Sequence, residues 1–288
     1  MVDAELVLKS AESRCLHNMS NKPITKSHPF AFFGLVYAMS APFWMLGAFL
    51  KSSWLPDNIP LSDIGATLSP ALAACFLIYK EDGLRGLKTF LGRIFDYRRT
   101  SSRSWFFTAL LLLPVLYLAT YAVMRISGYP LAVDGQLSTG LLGALLMFLI
   151  AATVEELGYS AYATDALQTR YSALTTALLI GVPWAFWHLP SMLQMGQSWT
   201  LVAWGLGATV AFRVITVWLY NNNHFSLFVV ILAHALGTTA RSAFPGGRSA
   251  YELGDGAVSY AIIIVFALII VVLWRPATLT NFLGHKRR

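Results

Sequence analysis

The sequence predicts an all-α polytopic membrane protein, a helical bundle with about eight transmembrane helices. The chain has 288 residues, of which 56% are hydrophobic and only 12% are charged, and its mean hydropathy is +0.59. An average soluble domain has about 25% charged residues, so the composition argues against a soluble enzyme, a disordered chain and a coiled coil. Lipid cannot satisfy free backbone groups, which leaves helices or a closed barrel. Long unbroken apolar runs favour helices over the short alternating segments of barrel strands.

Eight apolar runs account for the predicted spans, and each is close to the roughly 20 residues that a bilayer requires. The runs cover residues 29–50, 64–79, 105–124, 138–156, 172–193, 200–220, 225–242 and 258–274. The first run is longer than the core of a signal peptide and is therefore predicted to span. A single membrane domain at 29–274 is expected, with an N-terminal tail at 1–28 and a basic C-terminal tail at 275–288.

The distribution of positive charge predicts the orientation. With the N-terminus inside, the inner segments hold sixteen Lys and Arg residues and the outer segments hold four. Positive residues accumulate on the cytoplasmic side, so both tails are expected to be cytoplasmic in a multi-pass protein of the cell membrane. The net charge of +7 then indicates anchoring at the lipid bilayer and no nucleic-acid partner. Residues 83–96 alternate apolar and basic positions at helical spacing, which predicts an amphipathic helix on the inner leaflet.

Few ionisable side chains fall within or at the boundary of these runs, and each needs a reason because a charge in the bilayer is costly. Glu155 and Glu156 end the fourth run. Adjacent helical positions diverge by about 100°, so one carboxylate can face a cavity while the other pairs sideways or caps. The alternative is a helix end at the interface, where both carboxylates are solvated. Arg213 lies within the sixth run.

The two histidines lie in the fifth and seventh runs. His188 stands between Pro183 and Pro190, which kink a helix and suit a cavity wall; the alternative is a histidine that is hydrogen-bonded within the bundle. Thr238 follows His234 by four residues and shares its helical face. Such a pair can polarise a carbonyl or orient a water molecule. The alternative is a threonine bonded back to its own helix.

Two carboxylates and two histidines on three spans are the components of a membrane-buried hydrolytic site. A glutamate could activate water directly, or glutamate and histidine could hold Zn²⁺ for that purpose. The His-Glu-x-x-His motif of zinc proteases is absent. A shared site requires the fourth span to continue, to about Thr164, with Asp165 and Arg170 at its exit.

The order and spacing of these residues resemble the CPBP intramembrane proteases, also called the CAAX-protease and bacteriocin-processing, or Abi, family. The resemblance covers about residues 138–242 and is carried by residues 155–159, 184–190, 221–223 and 232–235. The family pattern is Glu-Glu-x-x-x-Arg, Phe-x-x-x-His and His-x-x-x-Asn. This chain departs from it at three positions: Trp184 replaces Phe, Ser160 replaces Arg, and Thr238 replaces Asn.

The resemblance implies a role for each residue. Glu155 with His188 would activate water for attack on a peptide carbonyl, His234 with the residue at position 238 would stabilise the oxyanion, and Glu156 would hold the site together. Zinc is a candidate cofactor, with Glu155, His188 and His234 as its candidate ligands. Arg213 would supply the counter-charge that is missing at Ser160, unless it pairs elsewhere in the bundle.

The leading interpretation is an intramembrane endopeptidase, metalloendopeptidase-like, that hydrolyses membrane-associated peptides or proteins, with access expected from the inner side. A second interpretation is a catalytically impaired relative that binds such peptides for bacteriocin immunity or regulation, which the departures at positions 160 and 238 favour. A transporter with a proton relay is disfavoured, because no matching pair of broken half-helices occurs.

Overall fold

The structure is a computed structural model, and it describes residues 28–49, 61–129, 131, 140–243 and 258–280. Within these ranges the chain forms ten α-helices, one π-helical segment and two short 3₁₀ helices, Arg93–Phe95 and Tyr97–Arg99, in agreement with the predicted all-α class. The α-helices are α1 Pro29–Phe49, α2 Leu61–Ala66, α3 Ser69–Gly92, α4 Arg103–Ile126, α5 Gly140–Glu156, α6 Asp165–Gln168, α7 Ala173–Gln194, α8 Trp199–Asn222, α9 Leu227–Ser242 and α10 Val258–Leu273. The π segment is Leu157–Thr164, between α5 and α6.

The apolar helices coincide with the eight predicted runs. Six of them are long and apolar enough to cross a membrane by length and composition, and α9 and α10 are shorter apolar helices. The predicted polytopic helical bundle is therefore confirmed. The structure adds a short helix, α2, before the second long span.

The second span is longer than predicted because a second helical segment follows it directly across a kink at Gly83. Gly83 has φ +63° at this kink, a conformation that glycine reaches without steric cost, and a further helical segment runs from it to Gly92. The helix predicted from residue 83 is therefore present as the part of α3 beyond the kink, and it ends at Gly92; its place on the inner leaflet stays a prediction. Leu84 and Phe95 are 65% and 72% exposed, so an apolar surface is present there.

The fourth span continues beyond Glu156, as a shared site requires. The π segment and α6 extend α5 into one apolar helix of 28 residues, Leu141–Gln168. Every residue of the π segment is buried, and the Thr164 hydroxyl donates to the carbonyl of Tyr159, five residues back. Glu155 and Glu156 therefore lie near the middle of a span and not at its end.

Helix packing places α9 at the centre of the site region. α9 packs against both α4 and α5, α8 packs against both α7 and α10, and the π segment packs against α3. The closest approach is at Gly158, where an added Cβ would lie 2.7 Å from the backbone oxygen of Pro70. The site region is thus enclosed by helices that come from both halves of the chain.

The described part of the predicted C-terminal tail, residues 275–280, is bound to the bundle. Its backbone carbonyls accept hydrogen bonds from the Ala173 and Leu174 amides at the start of α7. They also accept from the Asn221 and Asn222 side chains, at 2.9 and 2.8 Å. Two of the three consecutive asparagines thus hold the chain after α10 in place. Residues 1–27 and 281–288, which make up most of the predicted tails, lie outside the described residues.

We predict that Gly158→Ala lowers the midpoint of thermal unfolding in detergent, because the new methyl group meets the rigid backbone of Pro70. Overpacking of this kind costs about 1–3 kcal/mol. The matched control is Gly143→Ala in the same span, where an added Cβ meets nothing within 4 Å. The packing argument fails if the two variants unfold at the same temperature.

Candidate active site

The two adjacent glutamates point in different directions, as helical geometry predicts. Glu155 is 7% exposed and lines a cavity, whereas Glu156 is completely buried. Glu156 is the last residue of α5, directly before the π segment. One carboxylate is therefore available to a substrate, and the other serves contacts inside the bundle.

A buried cluster surrounds Glu156. The Arg213 guanidinium from α8 lies against both carboxylate oxygens, with Nη1 2.9 Å from Oε2 and Nη2 3.3 Å from Oε1. His234 Nδ1 from α9 is 2.9 Å from Oε1, and the Ser160 hydroxyl donates to Oε2. Arg213 and Glu156 have no exposed surface. The counter-charge that sequence analysis expected from Arg213 is thus present beside Glu156.

Trp184 connects this cluster to Glu155. Its indole Nε1 donates to Glu155 Oε2 at 3.0 Å, and its ring lies 4.3 Å from Arg213 Cζ. A cation over a tryptophan face is attracted by the ring quadrupole. Trp184 also makes edge contacts with His188 and His234, at centroid distances of 5.3 and 5.9 Å. A phenylalanine, the residue usual in the family pattern, has no donor for Glu155.

His188 is half-buried on α7, one residue after Trp187. The two aromatic rings are in edge contact at 4.8 Å. The Trp187 indole donates to the hydroxyl of Ser40 on α1 at 2.8 Å, and Tyr37 donates to the carbonyl of Pro183 at 2.8 Å. Helix α1 therefore fixes the proline-containing segment of α7 that carries His188.

Thr238 stands one turn beyond His234 on α9. Its hydroxyl donates to the His234 carbonyl at 3.2 Å, which is the back-bonded arrangement that sequence analysis held open. Thr238 nevertheless lines the same cavity as His234. The structure therefore brings the two residues to one surface and leaves the hydroxyl on its own helix.

A cavity of about 680 Å³ brings the predicted residues together. It is enclosed mainly by α5, α7, α8 and α9, with α2, α4 and α10 at its sides. The residues that line it include Glu155, Trp184, His188, Phe212, His234 and Thr238. Ser160, Arg213 and Glu156 stand behind this wall as the buried cluster. The cavity thus has a carboxylate, two histidines and a hydroxyl on its surface and a charged cluster beneath them.

The described residues do not form a ready metal site. Among them, no group of three or more His, Cys, Asp or Glu side chains is placed to hold a metal ion. Glu155 Oε2 already accepts from Trp184, and His234 Nδ1 is engaged with Glu156. The candidate ligands therefore share a cavity but do not converge as a ligand set, and zinc binding stays a prediction.

A second polar network, which sequence analysis did not anticipate, closes the end of the fourth span. Arg93 Nη1 lies 2.6 Å from Asp165 Oδ2 and donates to the Ala161 carbonyl at 3.0 Å. Its second terminal nitrogen, Nη2, donates to the hydroxyl of Tyr220. That hydroxyl in turn donates to Asp165 Oδ1 at 2.8 Å. Arg93 had been assigned to a basic leaflet surface. Asp165, an acidic residue at the predicted exit of the span, was the feature of the sequence that indicated a basic partner nearby.

Comparison with known proteins gives two matches. Residues 136–240 match the sequence model of a family described as "Type II CAAX prenyl endopeptidase Rce1-like". The chain is also similar to the CAAX prenyl protease 2 of Methanococcus maripaludis, with 26% identity over 233 residues, covering 73% of this chain and 83% of that protein. The matched region contains the glutamates and histidines that line or support the cavity. Over this region the chain is therefore similar to CAAX proteases, which agrees with the resemblance predicted from the motifs.

Proposed function

We propose that the protein is an endopeptidase that hydrolyses membrane-associated peptides or proteins, with Glu155 and His188 activating the attacking water. The observation that carries this proposal is the shared cavity, in whose wall Glu155 and His188 lie with His234 and Thr238. A cavity enclosed by spanning helices suits a substrate that is itself held at the membrane. The family matches support a protease and leave the residue roles to be tested.

Glu155 has the features of a general base. Trp184 fixes Oε2 by its hydrogen bond, so the carboxylate has a defined direction beside the cavity. In the proposed reaction Glu155 takes a proton from a water molecule that His188 orients, and the water oxygen attacks the scissile carbonyl. Glu155 then returns the proton to the leaving amine as the C–N bond breaks.

His234 and Thr238 are proposed to stabilise the oxyanion. Since His234 Nδ1 faces Glu156, the opposite ring nitrogen, Nε2, points away from Glu156. The Thr238 hydroxyl reaches an oxyanion after rotation about one side-chain bond, which releases its bond to the His234 carbonyl. Loss of one oxyanion donor typically costs a factor of about 10²–10³ in rate, so the hydroxyl at this position matters for activity.

The buried cluster also bears on the alternative of an impaired, peptide-binding relative. That interpretation drew on the loss of the family arginine at Ser160. Arg213 places a guanidinium on Glu156 from another helix, so the charge is supplied despite the substitution. The departure at position 160 therefore gives no support to lost catalysis, and the protease interpretation is preferred.

We predict that Glu155→Gln abolishes cleavage of membrane-anchored peptides by the purified, detergent-solubilised protein. The amide keeps the shape of the side chain and can still accept from Trp184, but it cannot take a proton from water. His188→Ala should lower the rate of cleavage as well. A chelator added to the wild type tests the zinc prediction in the same assay.

The control for this experiment is the Gly143→Ala variant, which alters the same span at a residue that does not line the cavity and should cleave like the wild type. Cleavage by Glu155→Gln at the wild-type rate would show that Glu155 is not the base. Failure of the wild type to cleave any anchored peptide, while it binds them, would favour the impaired relative.

We predict that Arg213→Ala removes activity and lowers stability, and that adding Ser160→Arg restores both. Loss of one partner from a buried ion pair costs about 3–5 kcal/mol, because the other charge remains buried. Ser160 already contacts Glu156, so an arginine there starts from the correct face. The measurements are the cleavage rate and the thermal midpoint of both variants.

The matched control is Arg125→Ala, which removes an exposed arginine at the end of α4 and should change neither quantity. If the double variant is no more stable and no more active than Arg213→Ala, Arg213 does not replace the family arginine.

We predict that Trp184→Phe lowers kcat by about tenfold to a hundredfold with little change in KM. The substitution keeps an aromatic ring beside Arg213 but removes the donor to Glu155, and a hydrogen bond to a charged group is worth about 1.5–3 kcal/mol. Trp187→Phe also removes an indole donor, but the hydrogen bond that is lost is the one to the Ser40 hydroxyl. This variant should therefore affect stability more than kcat. Equal kcat values for the two variants would contradict a positioning role for Trp184.

A further inference from the structure

We propose that residues 84–103, here called the basic segment, bind anionic phospholipid headgroups, and that this binding holds in place the helices that carry Glu155 and His234. A dependence of the cleavage rate on anionic lipid then follows, and that part rests on the proposed hydrolytic function. The inference comes from the place of the segment after α3, from its exposed side chains and from its contacts with the two helices.

The basic segment begins where α3 leaves the apolar part of its span. The apolar helical stretch Ser62–Phe95 has 34 residues, which would be about 50 Å long as a continuous helix. A hydrocarbon core is only about 30 Å thick. The first charged side chain after Asp63 in this stretch is Lys80, and the backbone kinks shortly after it, at Gly83. The residues beyond the kink therefore extend past the hydrocarbon core.

Beyond the kink, α3 has one exposed face that is largely apolar. Leu84, Lys88 and Leu91 follow one another at spacings of four and three residues, so they share a face, and all three are exposed. Phe95, in the 3₁₀ helix that follows, is exposed as well. Phe90 lies on another face and is buried in the bundle. An exposed apolar stripe beside basic residues is typical of a helix that lies in the membrane interface.

The charge of the basic segment favours an anionic headgroup over a zwitterionic one. Residues 84–103 contain six Lys and Arg residues and one acidic residue, Asp96. Four of the six basic side chains are exposed: Arg85, Lys88, Arg98 and Arg103. Each basic side chain near an anionic membrane surface contributes about fivefold in affinity. A zwitterionic headgroup has no net charge to offer in return.

The acidic residue of the segment caps the helix that carries His234. The Asp96 carboxylate accepts hydrogen bonds from the backbone amides of Leu227 and Phe228, at 3.1 and 3.0 Å. The Ser226 hydroxyl also donates to it, at 2.9 Å. The first amides of a helix have no partner within the helix, and a carboxylate is favoured there by the helix dipole. The basic segment therefore fixes the start of α9, two helical turns before His234.

Arg93, from the same segment, holds the span that carries Glu155. Its Nη1 donates to the Ala161 carbonyl in the π segment at 3.0 Å and lies 2.6 Å from Asp165 Oδ2. Ala161 follows Glu155 on the same span. One short stretch of chain thus contacts both helices. A ligand that holds this stretch in place favours the state in which both contacts are made.

The first test is a titration of the full chain, in detergent micelles, with phosphatidylglycerol as the anionic lipid and phosphatidylcholine as the zwitterionic one. Native mass spectrometry counts the lipid molecules bound. The wild type should bind phosphatidylglycerol in preference. The triple variant Arg85→Gln/Lys88→Gln/Arg98→Gln should raise the half-saturating concentration of phosphatidylglycerol at least about tenfold, because three charges are lost.

Two control variants separate headgroup binding from a change in net charge or in fold. Arg125→Gln/Arg170→Gln/Arg275→Gln removes three exposed arginines outside the segment, and Arg85→Lys/Arg98→Lys keeps the charge within it. Both should bind like the wild type. Equal binding of the two lipids by the wild type, or the same loss in the first control as in the triple glutamine variant, would overturn the lipid site.

The second test asks whether the bound lipid holds α9, and it does not require catalysis. Hydrogen exchange at the Leu227 and Phe228 amides, which donate to Asp96, should slow at least about fivefold when phosphatidylglycerol is added, the lower end of typical coupling between sites. Phosphatidylcholine should have no such effect. Unchanged exchange in the presence of bound phosphatidylglycerol would overturn the link between the lipid site and α9.

The third test measures cleavage of an anchored peptide without charged residues, in phosphatidylcholine vesicles with and without phosphatidylglycerol. The wild type should cleave at least about fivefold faster with the anionic lipid, and the triple glutamine variant should lose this difference. Equal wild-type rates in the two vesicles would overturn the dependence on lipid. Lipid binding and slowed exchange without cleavage in either vesicle would count against hydrolysis while supporting the lipid site.

Discussion

The ion pair between Glu156 and Arg213 sets the positions of the groups around the cavity. A fully buried carboxylate at mid-span needs a counter-charge, and here it joins α5 to α8. The same carboxylate holds His234 on α9, while the guanidinium lies on the Trp184 ring of α7. Four helices thus meet at one charge pair. Since a buried ion pair is weak evidence for stability, its value here lies in fixing where the neighbouring side chains point.

The position of this arginine shows that a charge requirement can be met from a different helix. The family pattern places the arginine four residues after the second glutamate, on the same helix. Here Ser160 occupies that position and donates to Glu156. Arg213, which is 57 residues from Glu156 in the sequence, supplies the guanidinium. The serine leaves room for the incoming side chain, and Trp184 offers it an aromatic face. Ser160, Trp184 and Arg213 together therefore compensate for the arginine that the family pattern has at position 160.

Much of the fold followed from the sequence because apolar length and helical periodicity are local properties. They predicted the spans, the divergence of Glu155 and Glu156 and the continuation past Glu156. They also predicted the helical segment that follows the kink at Gly83. Arg93 was assigned to a surface because its partner, Asp165, is distant in sequence. Trp184 was recognised as a departure, but its hydrogen bond to Glu155 depends on tertiary packing.

The π segment has a consequence for how the fourth span tolerates change. Its hydrogen bonds join residues five apart, so it holds one residue more than an α-helix of the same number of turns. An extra residue turns everything after it by about 100° around the helix axis. The face of α6 on which Asp165 meets Arg93 is thereby rotated relative to the face of α5 that lines the cavity. One span can therefore turn Glu155 towards the cavity and Asp165 towards Arg93.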